Sequence, residues 1–419
     1  MLLRWTKEKS MNAGVIEMPS ATVARAVSPA RTIHVGHVIE ALGPGGAERL
    51  LYTNLKHFDP NRVKSTVITL FSGANHWRKP IEELGVEVVN LDLGGRSDLP
   101  KGVSRLRTWL TSAQPDLLHT HLWSANVVGR VAGRLAKIPV VSSVHNPDYE
   151  PEAWEDGSDV SLRKRKLAKS VDKWTARFGC NRMVAVSEYV RRSTGKRLGF
   201  PIELTELLYN PIDAELFSPA IGDNRKELLS QLGLPDDAIV LLNVARISPQ
   251  KGQLYAVHAM TEILKSYPNA HLLLVGATTD PKWLEHIKNE ISSLNVADRV
   301  HITGARTDVP DLLRASDVFL FPSLYEGLGI ALIEAMAAGC ASVATRTGPL
   351  AEVINDGVDG LLVAPRDPNA LAQAVCELLA NPDRRSLIGK AARTSAERFQ
   401  PQRSAEKLTA IYESVLAEH

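Results

Sequence analysis

Cysteine is scarce in this chain of 419 residues: Cys180, Cys340 and Cys376 are odd in number and widely spaced. Such a set builds neither a disulfide framework nor a zinc site, and it points to a reducing cytoplasm. Low-complexity blocks and internal repeats are absent, which excludes disordered and collagenous classes. A bilayer span is missing too. The most membrane-like window, residues 327–345, is Gly-rich and carries Glu334, so it reads as a core helix. The basic start Arg4, Lys7 and Lys9 meets Asn12, Glu17 and Pro19 where a secretory signal needs an apolar core. Residues 1–30 therefore read as a loose tail.

What is present is ordinary globular material, 44% hydrophobic and 23% charged, in a chain too long for one core; two domains are the default. The net charge of +2 is unevenly divided: residues 1–210 hold 30 Lys+Arg against 21 Asp+Glu, a net of +9, and the remainder carries −7. The basic half is the one that should meet an anionic partner.

Short apolar runs at residues 32–39, 67–70, 86–89, 117–121, 140–145 and 184–188 alternate with helical patterns. After a turn-rich linker at residues 207–219 the pattern restarts at 239–245, 271–276, 300–304, 318–321 and 343–344. This alternation predicts an α/β chain with doubly wound parallel sheets. Ligands of such sheets collect where strands end. Gly45 and Gly46 follow the first run, although a plain turn would use the same residues. His145 ends a buried run, where a core or capping role is the alternative. Arg246 and Lys251 frame the loop after the run at 239–245, and two such cations neutralise phosphate well. His119 and His121 share a strand face as a metal pair would, but no third ligand is expected nearby, so no metal is expected.

The most informative stretch is residues 317–352. An apolar run stopped by Pro322 leads into Glu326-Gly327-Leu328-Gly329, then into an Ala- and Leu-rich helix pattern that ends at Gly339. Strand, glycine loop and helix together aim free N–H groups at the space above the strand, a setting for a diphosphate. Carboxylates do not attract phosphate, but Glu326 and Glu334 accept hydrogen bonds from sugar hydroxyls. Each glutamate alone would read as solvated surface.

Glu326, seven intervening residues and Glu334, followed by Ala-Met-Ala-Ala-Gly and by Gly348-Pro349-Leu350-Ala351-Glu352, resemble the nucleotide-sugar signature of retaining glycosyltransferases of family 4. The resemblance covers roughly residues 32–419. It implies a GT-B fold, two Rossmann-like doubly wound parallel-sheet domains facing across a cleft. Residues 31–210 would be the acceptor domain, 211–400 the donor domain, and 401–419 a helix crossing back to the first. One departure is Asn210-Pro211-Ile212-Asp213, where the family usually has Asn-Gly-Ile-Asp.

The implied roles follow the motif. Glu326 and the amides of Gly327, Leu328 and Gly329 would hold the donor sugar, and Glu334 the ribose. His145 would reach the sugar and its phosphate, Gly45 and Gly46 would lie over the phosphates, Arg246 and Lys251 would hold the diphosphate, and the turn at Arg306 would grip the base. The implied reaction is retaining transfer from a nucleotide sugar, such as a UDP- or GDP-sugar, to a hydroxyl of a glycan or lipid-linked acceptor in cell-surface polysaccharide or glycolipid assembly. No cofactor, metal or nucleic acid is implied, and the chain's lack of an Asp-any-Asp tripeptide fits metal independence. A nucleotide-sugar 2-epimerase and a catalytically silent GT-B scaffold are the rival readings. Residues 162–178 pattern as a basic amphipathic helix. It is either a solvated helix or, through Arg163, Lys164, Arg165 and Lys166, a contact with the anionic inner face of the membrane.

Overall fold

The computed structural model describes residues 31–73, 75–154, 161–218, 225–278 and 280–419; the expected N-terminal tail lies outside them. The first sheet is built from β1 (Ile33–Ile39), β2 (Val63–Phe71), β3 (Glu87–Leu93), β4 (Leu117–His121), β5 (Val140–Val144), β6 (Arg182–Ala185) and β7 (Thr205–Leu207). Its order is β3-β2-β1-β4-β5-β6-β7. The second contains β8 (Ile239–Val244), β9 (Ala270–Val275), β10 (Val300–Gly304), β11 (Val318–Phe321), β12 (Ser342–Thr345) and β13 (Leu361–Val363), ordered β10-β9-β8-β11-β12-β13. Both are wholly parallel. Strands covered by helices on both faces must be apolar throughout, and every residue of β11 is buried accordingly.

Strand order reverses between β1 and β4 in one sheet and between β8 and β11 in the other. Connections leaving such neighbouring strands run to opposite faces and open a crevice at their carboxyl ends. The Gly45 turn follows β1, the Arg246 and Lys251 loop follows β8, and the Glu326 loop follows β11, so each of these candidate loops leaves a strand that borders a reversal.

Two strands escape the sequence pattern. β7 and β13 have three residues each, too few to display a period, and β7 ends on Leu207, where the composition reads as linker. Both lie at sheet edges, where pairing on one side suffices.

One face of the first sheet packs against the helices Gly46–His57 and Pro401–Ala417. Leu51, Leu55 and Phe58 share a core there with Leu408, Ile411, Tyr412 and Val415. A polar bond lies inside this core. The Tyr412 hydroxyl is 2.6 Å from Nδ1 of His119, whose Nε2 is 2.8 Å from the Ser143 hydroxyl, so the last helix is tied to β4 and, through His119, to β5. Removing one partner of a buried hydrogen bond costs about 1–3 kcal/mol. Tyr412→Phe should lower stability by that amount in urea unfolding, and an unchanged midpoint would show that the last helix is held by apolar contact alone.

Candidate functional site

The loop after β11 is held from two sides. Leu328 is buried in the second sheet's core, and Gly329 has φ +93°, the left-handed conformation from which the helix Ile330–Ala337 starts. A Cβ on Gly327 would lie 1.8 Å from the His145 carbonyl oxygen. Only glycine lets the backbone of one domain come so near that of the other. A Cβ on Gly46 would lie 3.4 Å from Ile330 Cδ1, so the start of the helix Gly46–His57 also faces this loop.

Glu326 and Glu334 are nearly out of water, 6% and 4% exposed. Each has a cation. Lys251 Nζ donates to Glu326 Oε1 at 2.6 Å and sits 6.0 Å from the centre of the Phe321 ring. Arg49, from the helix Gly46–His57, donates through Nη1 to Glu334 Oε1 across the domain seam. Burial pushes the Glu334 carboxyl above its usual range, and the Arg49 charge opposes that push.

Arg246 is exposed and its side chain has no partner among the described residues, while its carbonyl accepts a bond from Gln253 Nε2 at 3.0 Å. Arg306 is committed elsewhere: Nε and Nη2 donate to the two Asp308 oxygens at 2.8 and 2.5 Å. Its guanidinium is thus turned onto its own loop.

His145 follows β5 with Nε2 enclosed and unpartnered, and burial drives its pKa down to about 4, so the ring is neutral at neutral pH. The His121 ring lies 5.7 Å away. Here one sequence expectation is corrected, for a third histidine does stand beside His119 and His121. Because β1 pairs with β4, His37 lies opposite His119, and one ring nitrogen from each of the three falls within 4.8 Å of the others. His119 has both nitrogens in hydrogen bonds with Tyr412 and Ser143, and His37 Nε2 lies 3.3 Å from the Ser65 hydroxyl. Both His121 nitrogens and His37 Nδ1 are buried without a partner, so the three rings meet by contact and only His119 is fully hydrogen-bonded.

Two contacts across the seam are not legible in the sequence. Arg49 showed only as a cation one turn into a helix. Glu352 was legible as part of a motif but not as a cap: its oxygens accept from the backbone N–H groups of Glu188 and Tyr189 at 2.7 and 2.6 Å, at the start of the helix Glu188–Leu198 in the first domain. Nothing in local sequence reports what either one faces.

Two doubly wound sheets that meet where their reversed strand orders open are the architecture of the GT-B glycosyltransferases. Residues 224–395 match the family described as Glycosyl transferases group 1, and residues 44–216 match Glycosyltransferase Family 4. The chain belongs to the family 4-type glycosyltransferases. It is 30% identical to the UDP-Gal:alpha-D-GlcNAc-diphosphoundecaprenol alpha-1,3-galactosyltransferase of Escherichia coli, over 66% of this chain and 69% of the relative. It is equally 30% identical to a D-inositol 3-phosphate glycosyltransferase of Acidothermus cellulolyticus, over 80% of this chain and 78% of the relative. In fold it resembles the Anabaena protein HepE solved with UDP and glucose, with TM-score 0.79, 23% identity, and coverage of 91% of this chain and 100% of that one. The chain is accordingly a glycosyltransferase with a nucleotide-sugar donor, and the epimerase reading is not favoured.

The buried histidines make acid stability a test of this geometry. Burial lowers His37 to about 3 and holds His119 and His121 well below the ordinary value, whereas in the unfolded chain each titrates near the ordinary histidine value of 6.5. Their stabilising contribution is full above the unfolded pKa. It is lost as pH falls, by about 1.4 kcal/mol per pH unit for each group. His37→Gln should therefore flatten the fall in stability between pH 6 and 4.5 by about one such slope, measured by urea unfolding against pH. Parallel curves for the two proteins would mean that His37 is not buried as described.

Proposed function

We propose that the chain carries out retaining, metal-independent transfer of a sugar from a UDP-sugar to a hydroxyl of a lipid-linked or glycan acceptor. The observation that carries this reading is the convergence of Lys251, Glu326, the glycine loop, Glu334 and His145 on one seam between the domains. UDP is preferred over GDP because the E. coli relative takes UDP-Gal and HepE was solved with UDP. The acceptor class follows from the same E. coli relative, whose acceptor is a diphosphoundecaprenol-linked sugar.

In this reading the N-terminus of the helix Ile330–Ala337, Arg246 and Lys251 receive the diphosphate and stabilise the charge that develops as it leaves. Glu326 and the amides of Gly327, Leu328 and Gly329 hold the sugar, and neutral His145 turns its unpartnered Nε2 toward it. Glu334 accepts from the ribose, and Gly45 and Gly46 allow close backbone approach to the phosphates. The bond from the anomeric carbon to the diphosphate oxygen breaks first. The acceptor hydroxyl then bonds from the same face and passes its proton to the departing phosphate, so configuration is retained. The protein contributes position and field. Screening nucleotide sugars by thermal shift, followed by mass spectrometry and anomeric analysis of the product with and without chelator, tests donor, retention and metal together.

The two carboxylates then differ in kind. Glu326→Gln should lower turnover more than it weakens binding of UDP, whereas Glu334→Gln should weaken binding of UDP itself, by roughly tenfold for a lost hydrogen bond to a charged group. The opposite pattern in calorimetry and kinetics would exchange the roles.

A membrane-facing helix completes the reading. The helix Leu162–Gly179 buries Asp172, Thr175, Ala176 and Gly179 and leaves Leu167, Trp174 and Phe178 at 66%, 58% and 39% exposure. That is the reverse of an ordinary amphipathic helix. The cause is polar: buried Arg130 donates to Asp172 Oδ1 at 2.5 Å and the Tyr149 hydroxyl to Oδ2 at 2.7 Å, fixing the acidic side inward. Exposed Arg163, Lys164, Lys166, Lys173 and Arg177 flank the apolar row, while Arg165 donates to the Ala153 carbonyl at 2.9 Å and is withdrawn from it. No helix of the described residues is long and apolar enough to cross a membrane. A row of this kind lies in the interface of an anionic bilayer. Charge reversal of Arg163, Lys164 and Lys166 to Glu, and separately Trp174→Ala with Leu167→Ala, should each release the protein from phosphatidylglycerol vesicles in sedimentation. Added salt should do the same. Retention of both variants would remove this helix from the assignment.

A further inference from the structure

The cation beside Glu326 comes from the same domain, whereas the cation beside Glu334 comes from the other one. Lys251 and Glu326 occupy neighbouring loops of the second sheet; Arg49 and Glu334 are separated by 285 residues and bridge the seam. Glu334 lies in the otherwise uncharged helix Ile330–Ala337, packed against β11, β12, the helix Pro382–Ala396 and the turn Ala214–Phe217. Among the described residues, the charge that acts on it is that of Arg49.

A carboxylate in such a place is stable as an anion only with a partner. The protonated acid presents an O–H and accepts fewer bonds, so it is a poor receiver for the adjacent hydroxyls of a ribose. Arg49 bonds to Oε1 and is 36% exposed along its side chain, entering from the rim and leaving Oε2 for a ligand. We propose that Arg49 is a positioning residue of the donor site, which keeps the Glu334 carboxylate charged and oriented for the ribose, so that the ribose site is complete only while the two domains meet. This rests on the reading of Glu334 as the ribose ligand.

The test is calorimetric binding of UDP, with GDP in parallel, at pH 8, 7 and 6. The proteins are wild type, Arg49→Met, Arg49→Lys, Glu334→Gln and the Arg49→Met, Glu334→Gln double variant, with melting curves to establish folding and Arg49→Gln as the substitute should Arg49→Met fail to fold. Dividing each affinity by that of wild type at the same pH removes the titration of the nucleotide itself. Arg49→Met should lose affinity relative to wild type as pH falls, approaching roughly tenfold per pH unit once Glu334 takes up its proton. Arg49→Lys should restore the wild-type profile. Glu334→Gln should be weak at every pH, and the double variant no weaker. If Glu334→Gln is weak while Arg49→Met follows wild type, or is weaker by a constant factor at all three pH values, Arg49 does not act through Glu334. Should Glu334→Gln bind as wild type does, the ribose reading itself fails, whatever Arg49 does.

Discussion

Glu326 and Glu334 are both buried, a costly place for a charge without a partner, and the chain supplies a cation to each, once from within a domain and once from across the seam. Much else in the structure serves this arrangement. The glycine loop must approach the first domain closely enough for Arg49 to reach Glu334, which requires a residue without a side chain at position 327. Leu328 and Gly329 then fix where the helix begins, and so where Glu334 falls along it.

The topology makes the arrangement economical in contacts. Each sheet reverses its strand order once, and the loops that carry charge leave strands beside the reversal. Side chains distant in sequence thus converge with no long excursion of the chain. His145 adds a neutral ring from β5, one strand further along the same edge. The hydrogen-bonded chain Tyr412–His119–Ser143 ties the last helix to the sheet that carries it.

Local spacing made the two-sheet fold and the Glu326 to Glu334 motif legible, since strand, loop and helix follow one another within a few dozen residues. Partners set by strand pairing or by the domain seam were not legible. His37 meets His119 only because β1 lies beside β4, and Arg49 faces Glu334 only after both domains have formed. The helix Leu162–Gly179 illustrates a different limit. Periodicity groups Leu167, Trp174 and Phe178 on one side, but it does not say which side is covered, and that was decided by Arg130, far away in sequence. β7 and β13 are too short to carry any period at all.

Glu352 pins the two domains together at one point of the seam. Its carboxylate takes two backbone N–H groups from the first turn of the helix Glu188–Leu198, so opening the domains would leave those two groups without an acceptor while Ser187 still caps Val190. A helix start that loses a side-chain acceptor is weakened by about 1 kcal/mol, and short-range bonds of this kind vanish over a fraction of an ångström. The contact stands beside the Arg49–Glu334 ion pair and the close approach of Gly327 to the His145 carbonyl, which also join the two domains. Because both bonds end on one carboxylate, separation at this point would break them together, as a catch lets go, with water taking the two N–H groups.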